Sequence, residues 1–146
     1  MAETIPVTKI AFIGAGPRGL GALEELVRQH PQDHGILELT IFDDLLVMGA
    51  GPNFDPAQTP HSLLNVPIRE VEIDPVLDLP CRGFEDWQKQ KSLLDEDCFP
   101  SRSSLGAYLM QRFRDVATFA DGFLSLTAHK SHVTDLHRDG EGWYVI

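Results

Sequence analysis

The segment Gly14-Ala15-Gly16-Pro17-Arg18-Gly19 constrains this chain more than any other feature, because of what stands on either side of it. Before it, Thr8–Ile13 (TKIAFI) is a short apolar run of the kind that forms a strand buried on both faces. After it, Leu20, Leu23, Leu26 and Val27 recur at helical spacing out to about His30, with Glu24, Glu25 and Arg28 on the opposite side. Pro31 stops that helix and Gln32 to Gly35 make a polar turn. Ile36–Phe42 (ILELTIF) then forms a second strand, closed by Asp43 and Asp44. Two strands joined by one helix of this length run parallel through a right-handed crossover. The predicted fold class is α/β: a Rossmann-type βαβ dinucleotide-binding unit on a parallel sheet.

A Gly-x-Gly-x-x-Gly segment alone is weak evidence, since glycine turns are common. Here a strand precedes it, a helix follows it, and an acid ends the next strand. Each position has a physical task. Gly14 permits the tight strand-to-helix turn, Gly16 lets the backbone approach a pyrophosphate, and Gly19 lets the helix pack closely on the strand. Unpaired N–H groups at the helix start, with the helix dipole behind them, then meet the phosphates. Pro17 suits the first helical turn, where its missing N–H costs little. Ala15 completes the turn, and Arg18 stands either against a phosphate or in solvent. Asp43 is placed to accept hydrogen bonds from ribose hydroxyls, with Asp44 as the alternative, and an acid there disfavours a 2′-phosphate. FAD and NAD both remain compatible with this fingerprint. The competing reading is a glycine-rich turn that binds nothing.

From Gly49 to about Gly83 prolines and glycines are frequent, which predicts a long loop and a candidate active-site region. Phe84–Leu94 reads as a helix carrying Trp87. A clearer helix follows, capped by Ser103 or Ser104, with Leu105, Tyr108, Leu109, Phe113 and Val116 on its inner side. After Asp121-Gly122 the pattern turns to a small antiparallel strand meander. Its strands are Phe123 to Ala128, Val133 to Arg138 and Trp143 to Ile146, the last two joined at Asp139-Gly140-Glu141-Gly142. The chain of 146 residues stops in mid-strand at Ile146, so residues 1–146 are expected to be the N-terminal domain of a longer flavoprotein, with the rest of the same protein as its natural partner.

A net charge of −10 without a Lys/Arg cluster argues against nucleic acid or an anionic membrane as partner. No run approaches the ~20 apolar residues of a membrane span, and the N-terminus lacks the basic region of a secretory signal, so a cytoplasmic protein is expected. Cys81 and Cys98 form neither a disulfide framework nor a metal pair, and the six histidines give no metal spacing. No metal site and no nucleophile of the chain's own are expected; catalytic residues stay unassigned.

The segments KIAFIGAGPRGLGALEEL, IFD, GAGPNFDPAQTPHSLLNVP and FPSRSSLGAYLMQRF, in that order, resemble a bacterial family of FAD/NAD(P)-binding oxidoreductase-like proteins. That family is distantly related to the flavin-dependent N-hydroxylating monooxygenases, whose arginine and following Tyr-Leu pair are matched more loosely by Arg102, Tyr108 and Leu109. The resemblance implies FAD as cofactor, its adenosine over Gly14 to Gly19 and Asp43. It implies that the loop at Leu64-Asn65-Val66-Pro67 approaches the flavin ring. It also implies Arg102 near the ribose or phosphate, and Val133, at the start of a late strand, offering backbone groups to the adenine. NAD(P)H would be the co-substrate of the full-length protein, with electrons passed to an acceptor, often O₂. The bare residues leave other readings open: Asn65 as a turn cap, Arg102 paired with Asp95, Glu96 or Asp97, and Val133 as an ordinary strand residue. Two further functions stay open, an NAD-dependent dehydrogenase domain and a non-catalytic dinucleotide-binding or interaction module. On any flavin reading the 146 residues alone are expected to be inactive, since they cannot enclose flavin, nicotinamide and substrate together.

Overall fold

A computed structural model describes residues 5–30, 34–91 and 97–146. Pro31, Gln32 and Asp33, and with them most of the expected polar turn, lie outside the described residues, as do Leu94, Asp95 and Glu96. Strand β1 (Val7–Ile13) leads into helix α1 (Pro17–Gln29) and strand β2 (Ile36–Asp43). Single turns of 3₁₀ helix at Pro52–Phe54 and Ile68–Glu70 punctuate the long loop. Helix α2 (Phe84–Lys89) is short and α3 (Arg102–Phe119) long; β3 (Leu124–Lys130), β4 (Leu136–Arg138) and β5 (Trp143–Val145) complete the chain.

The expected βαβ unit is present. β1 and β2 pair in parallel from Val7 opposite Ile36 to Ile13 opposite Phe42. β3 joins the other side of β2, also parallel, from Leu37 opposite Leu124 to Asp43 opposite Lys130. The first strand of the expected meander therefore belongs to the main sheet, in the order β1-β2-β3, and only β4 and β5 form an antiparallel pair. The physical reason lies in the preceding helix: α3 carries the chain back across the sheet, which makes the returning strand parallel.

Leu39 and Ile41 of β2 bury in a single core with Leu20, Leu23 and Val27 of α1 and Leu109, Phe113 and Val116 of α3, and Leu37, on the same face of the strand, is buried as well. β1 does not meet the expectation of burial on both faces. Val7, Ala11 and Ile13 are exposed, because both long helices contribute to the core on one side and β1 pairs only with β2 among the described residues. The β4–β5 pair faces that open side, where Leu136, Trp143 and Tyr144 share a cleft with Lys9, Ala11 and Phe42.

Three further details depart from the sequence reading. The α3 cap is Ser101, whose hydroxyl accepts the Ser104 N–H at 3.1 Å, so the helix starts just ahead of Ser103 and Ser104. Helix α2 ends at Lys89. Glu24 is buried rather than on the solvent side of α1: its carboxylate takes a forked pair of hydrogen bonds from Arg112 of α3, itself buried. Arg112 also donates to the Ile73 and Asp74 carbonyls, and the Tyr108 hydroxyl donates to Ile73 as well, at 3.1 Å. These bonds fix the far end of the long loop against both helices. Among the described residues no helix is long and apolar enough to cross a membrane.

Candidate functional site

The glycine turn folds as its three different requirements dictate. Gly14 has φ +85°, a conformation that costs an L side chain but not glycine, and its N–H donates to the Phe42 carbonyl at 2.8 Å, which continues the β1–β2 ladder. A Cβ at Gly19 would stand 2.9 Å from the Gly14 carbonyl oxygen, so that glycine is required by packing of α1 on the turn. Gly16 differs. The nearest atom to a Cβ there would be the Gly51 Cα at 3.7 Å, an ordinary contact. The fold itself thus does not demand glycine at this position, since a Cβ would meet Gly51 only at ordinary contact distance.

The first turn of α1 leaves donors over. Leu20 N–H returns to the Gly16 carbonyl at 3.0 Å, and Pro17 has no N–H. The N–H groups of Gly16, Arg18 and Gly19 meet no acceptor among the described residues. They are the orphan donors of a helix start, carrying the positive end of the dipole. Ala15 is buried, and the side chains of Pro17 and Arg18 are exposed.

Asp43 stands at the end of β2 beside this turn, with a role the sequence did not disclose. Its carboxylate accepts the Ala15 N–H at 2.9 Å on one oxygen, and the N–H groups of Leu45 at 2.9 Å and Leu46 at 2.8 Å on the other. Partial burial pushes this carboxyl up, but the three backbone donors outweigh it and hold the group below the usual aspartate range. Asp43 is therefore a staple between the glycine turn and the chain leaving β2. Asp44, next to it, is exposed and faces His132 of the β3–β4 connection, whose Nδ1 lies 3.1 Å from both carboxylate oxygens.

At the carboxyl ends of the three parallel strands these groups surround a cleft of about 470 Å³, with Ile13, Phe42, Leu45 and Pro52 as apolar lining and Gly14, Asp43, Asp44, Ser131, His132 and Val133 completing it. Clefts at this edge are where open α/β sheets take ligands. The structure so brings together Gly14, Asp43, Asp44 and Val133. Val133 reaches the cleft from the loop between β3 and β4, not from the start of a strand; β4 begins only at Leu136. Thr134 and Asp135 donate to the Ile146 carbonyl, and this closure leaves Val133 on the loop.

Asn65 and Arg102 do not line that cleft. The Ser62–Leu64 segment is pinned to Pro100–Arg102, with Leu64 N–H on Pro100 at 2.8 Å and Arg102 N–H on Ser62 at 2.7 Å. Asn65 is exposed just beyond this bridge, and Arg102 at the start of α3 places its guanidinium 5.9 Å from the Phe54 ring centre. Of the three acids considered for Arg102, Asp97 is instead paired with Arg69, and Asp95 and Glu96 lie outside the described residues. The second glycine turn, Gly49 to Pro52, backs the first: Gly49 N–H donates to Ala15 at 2.6 Å and Gly51 lies against Gly16. Cys81 is buried, which pushes its thiol up to about 11, so it is protonated at neutral pH. Among the described residues no group of three His, Cys, Asp or Glu could hold a metal ion.

Sequence reasoning missed His132, Glu24 and Arg112. Glu24 falls between Leu20 and Val27 on the buried stripe of α1, and Arg112 between Leu109 and Val116 on that of α3; charged residues at core positions were the available signal. His132 had none, since its partner is distant in sequence.

Comparison with known proteins agrees with the geometry. Nitrosuccinic acid synthase npaA of Aspergillus oryzae is 27% identical over 143 residues, spanning 91% of this chain and 22% of that protein, so the chain corresponds to about a fifth of its length. A family described as FAD-NAD(P)-binding matches residues 11–146, which run from β1 through the glycine turn to the last strand. Free amides at the start of α1, a cleft at the carboxyl edge of the sheet and a match over nearly the whole chain lead to one conclusion: this chain belongs to the FAD-NAD(P)-binding family.

Proposed function

We propose that this chain is the FAD-binding domain of a longer, cytoplasmic, NAD(P)H-linked flavin oxidoreductase of monooxygenase type. The observation that carries the reading is the set of N–H groups on Gly16, Arg18 and Gly19 that meet no acceptor among the described residues. A diphosphate satisfies those donors without any basic side chain, which suits a chain of net charge −10. The residues fit the group: the turn Gly14 to Gly19 takes the pyrophosphate, and the cleft beside Asp43, Asp44 and Val133 takes the adenosine. Arg18, exposed at the helix start, would stand near the phosphates. Asn65, just beyond the Leu63–Ser101 bridge, and Arg102, near the Phe54 ring, would lie on the flavin side, as the resemblance implies.

When bound, the flavin supplies hydride and electron transfer. The chain's own residues orient it: amides hold the diphosphate, and Asp43 keeps the turn in shape. The Glu24–Arg112 pair fixes α1, whose first turn carries the donors, to α3 and the loop. The relative is named for making nitrosuccinic acid, a product with an oxidised nitrogen, which supports an oxidative reaction. Nicotinamide and substrate sites belong to the remainder of such a protein, and the isolated domain is inactive on this reading.

NAD in the same cleft is the second reading, favoured by β3, which extends the parallel sheet as a further nucleotide-binding βα unit would. Titration of the chain with FAD and NAD, read by flavin fluorescence and calorimetry, separates the two. FAD binding that Gly16→Val abolishes, with helix content unchanged in circular dichroism, is the expected result. Retained binding in that variant refutes the placement of the diphosphate, and binding of NAD alone transfers the site to the second reading.

A further inference from the structure

The tetrapeptide Gly-Ala-Gly-Pro occurs twice in this chain, at Gly14-Ala15-Gly16-Pro17 and again at Gly49-Ala50-Gly51-Pro52. The fold brings the two copies against each other. The Gly49 N–H donates to the Ala15 carbonyl at 2.6 Å, and a Cβ on Gly51 would stand 3.1 Å from the Gly16 Cα. That carbonyl and the Gly16 N–H belong to one planar trans peptide, so they point in opposite directions. By holding the carbonyl on its own side, Gly49 turns the Gly16 N–H away from the second copy. Glycine at position 16 makes this hold necessary. With no Cβ beside it, the Ala15–Gly16 peptide turns over at little cost and would then present its oxygen where a phosphate is to sit. The peptide before it is held as well, by the Ala15 N–H on Asp43. The second copy is in turn wedged against α3. A Cβ on Gly49 would run into the Leu109 carbonyl, and one on Gly106 into the carbonyl of Phe54, in the 3₁₀ turn that follows the copy.

Resting on the reading of the α1 turn as a diphosphate site, we infer that the second Gly-Ala-Gly-Pro copy aims the Gly16 N–H at the ligand, with Gly49 and Gly51 as positioning residues and α3 as the support behind them. Neither glycine touches the diphosphate. Gly49 fixes which way the peptide faces. Gly51 fixes how close the two turns lie, since a side chain there drives them apart and lengthens the Gly49–Ala15 bond. A phosphate on the Gly16 N–H polarises the shared peptide and strengthens that bond in return.

The test compares ADP with adenosine, which lacks the phosphates, in calorimetric titrations of the chain. Gly51→Ala weakens ADP binding by about tenfold, the worth of one hydrogen bond to a charged acceptor, and leaves adenosine binding unchanged. Gly35→Ala is the control. Its Cβ meets the Pro6 carbonyl at the opposite end of the sheet, so it lowers Tm and keeps the wild-type ratio of the two affinities. In the wild type, ADP slows hydrogen exchange at the Gly49 N–H and adenosine does not, a response that needs no variant. A ratio kept in Gly51→Ala, a ratio lost equally in Gly35→Ala, or Gly49 exchange indifferent to ADP each overturns the inference. A wild-type chain that binds ADP no better than adenosine overturns the diphosphate reading instead, a failure distinct from the other three.

Discussion

Replacing Asp43 by asparagine separates a scaffold acid from a ligand acid. The carboxylate serves Ala15 on one oxygen and Leu45 and Leu46 on the other, at 2.8 to 2.9 Å. Asparagine keeps one oxygen for Leu45 and Leu46 and turns an NH₂ group toward the Ala15 N–H, donor against donor. Hydrogen bonds to a charged acceptor contribute about 1.5–3 kcal/mol each, and Ala15 is buried, so its N–H finds no water in exchange. The expected loss at neutral pH is about 2–3 kcal/mol, or about 5–10 °C in Tm for a domain of this size. The effect has a definite pH dependence. Asp43 is held below its unfolded value, so its contribution is complete above the unfolded pKa near 4 and is lost as the pH falls through the folded one. Urea unfolding followed by tryptophan fluorescence at pH 7 and at about pH 3 reads both quantities. The gap between wild type and variant narrows at the lower pH. Equal midpoints at pH 7, or a gap of the same size at both, refutes the staple.

Two other substitutions address the frame that holds the turn. Glu24→Ala leaves the Arg112 guanidinium buried without its carboxylate and destabilises the chain by about 3–5 kcal/mol, read by thermal unfolding. The double variant Glu24→Leu with Arg112→Met costs less than the sum of the single changes; additivity sinks the coupling. Ser101→Ala removes the acceptor of the Ser104 N–H at the start of α3 and lowers stability by about 1 kcal/mol, whereas Ser103→Ala has a smaller effect. The reverse order in a urea titration assigns the cap to Ser103.

The amino-acid order determined the βαβ start. An apolar run, three glycines and a periodic apolar stripe are local signals, each readable within one or two turns of chain. Thr8–Ile13 and Ile36–Phe42 became β1 and β2 almost to the residue, and the buried stripe of α3 fell on the predicted positions. The glycine cradle was legible for the same reason, since its geometry is made by neighbours in sequence.

Tertiary structure decided what depends on distant partners. Whether β3 paired with β2 or with β4 is not written in β3, whose alternating residues suit either neighbour; the crossover through α3 made the choice. Glu24 and Arg112 are 88 positions apart, as are Asp44 and His132, and nothing local to either member of a pair names the other. The same separation governs the acids after β2. Two adjacent aspartates look equivalent in the chain, and only the curl of backbone from Ala15 and Leu45 to Leu46 around one of them divides a staple from a rim carboxylate. Backbone conformation follows from nearby residues, but which donors reach a carboxylate depends on what the whole fold brings to it.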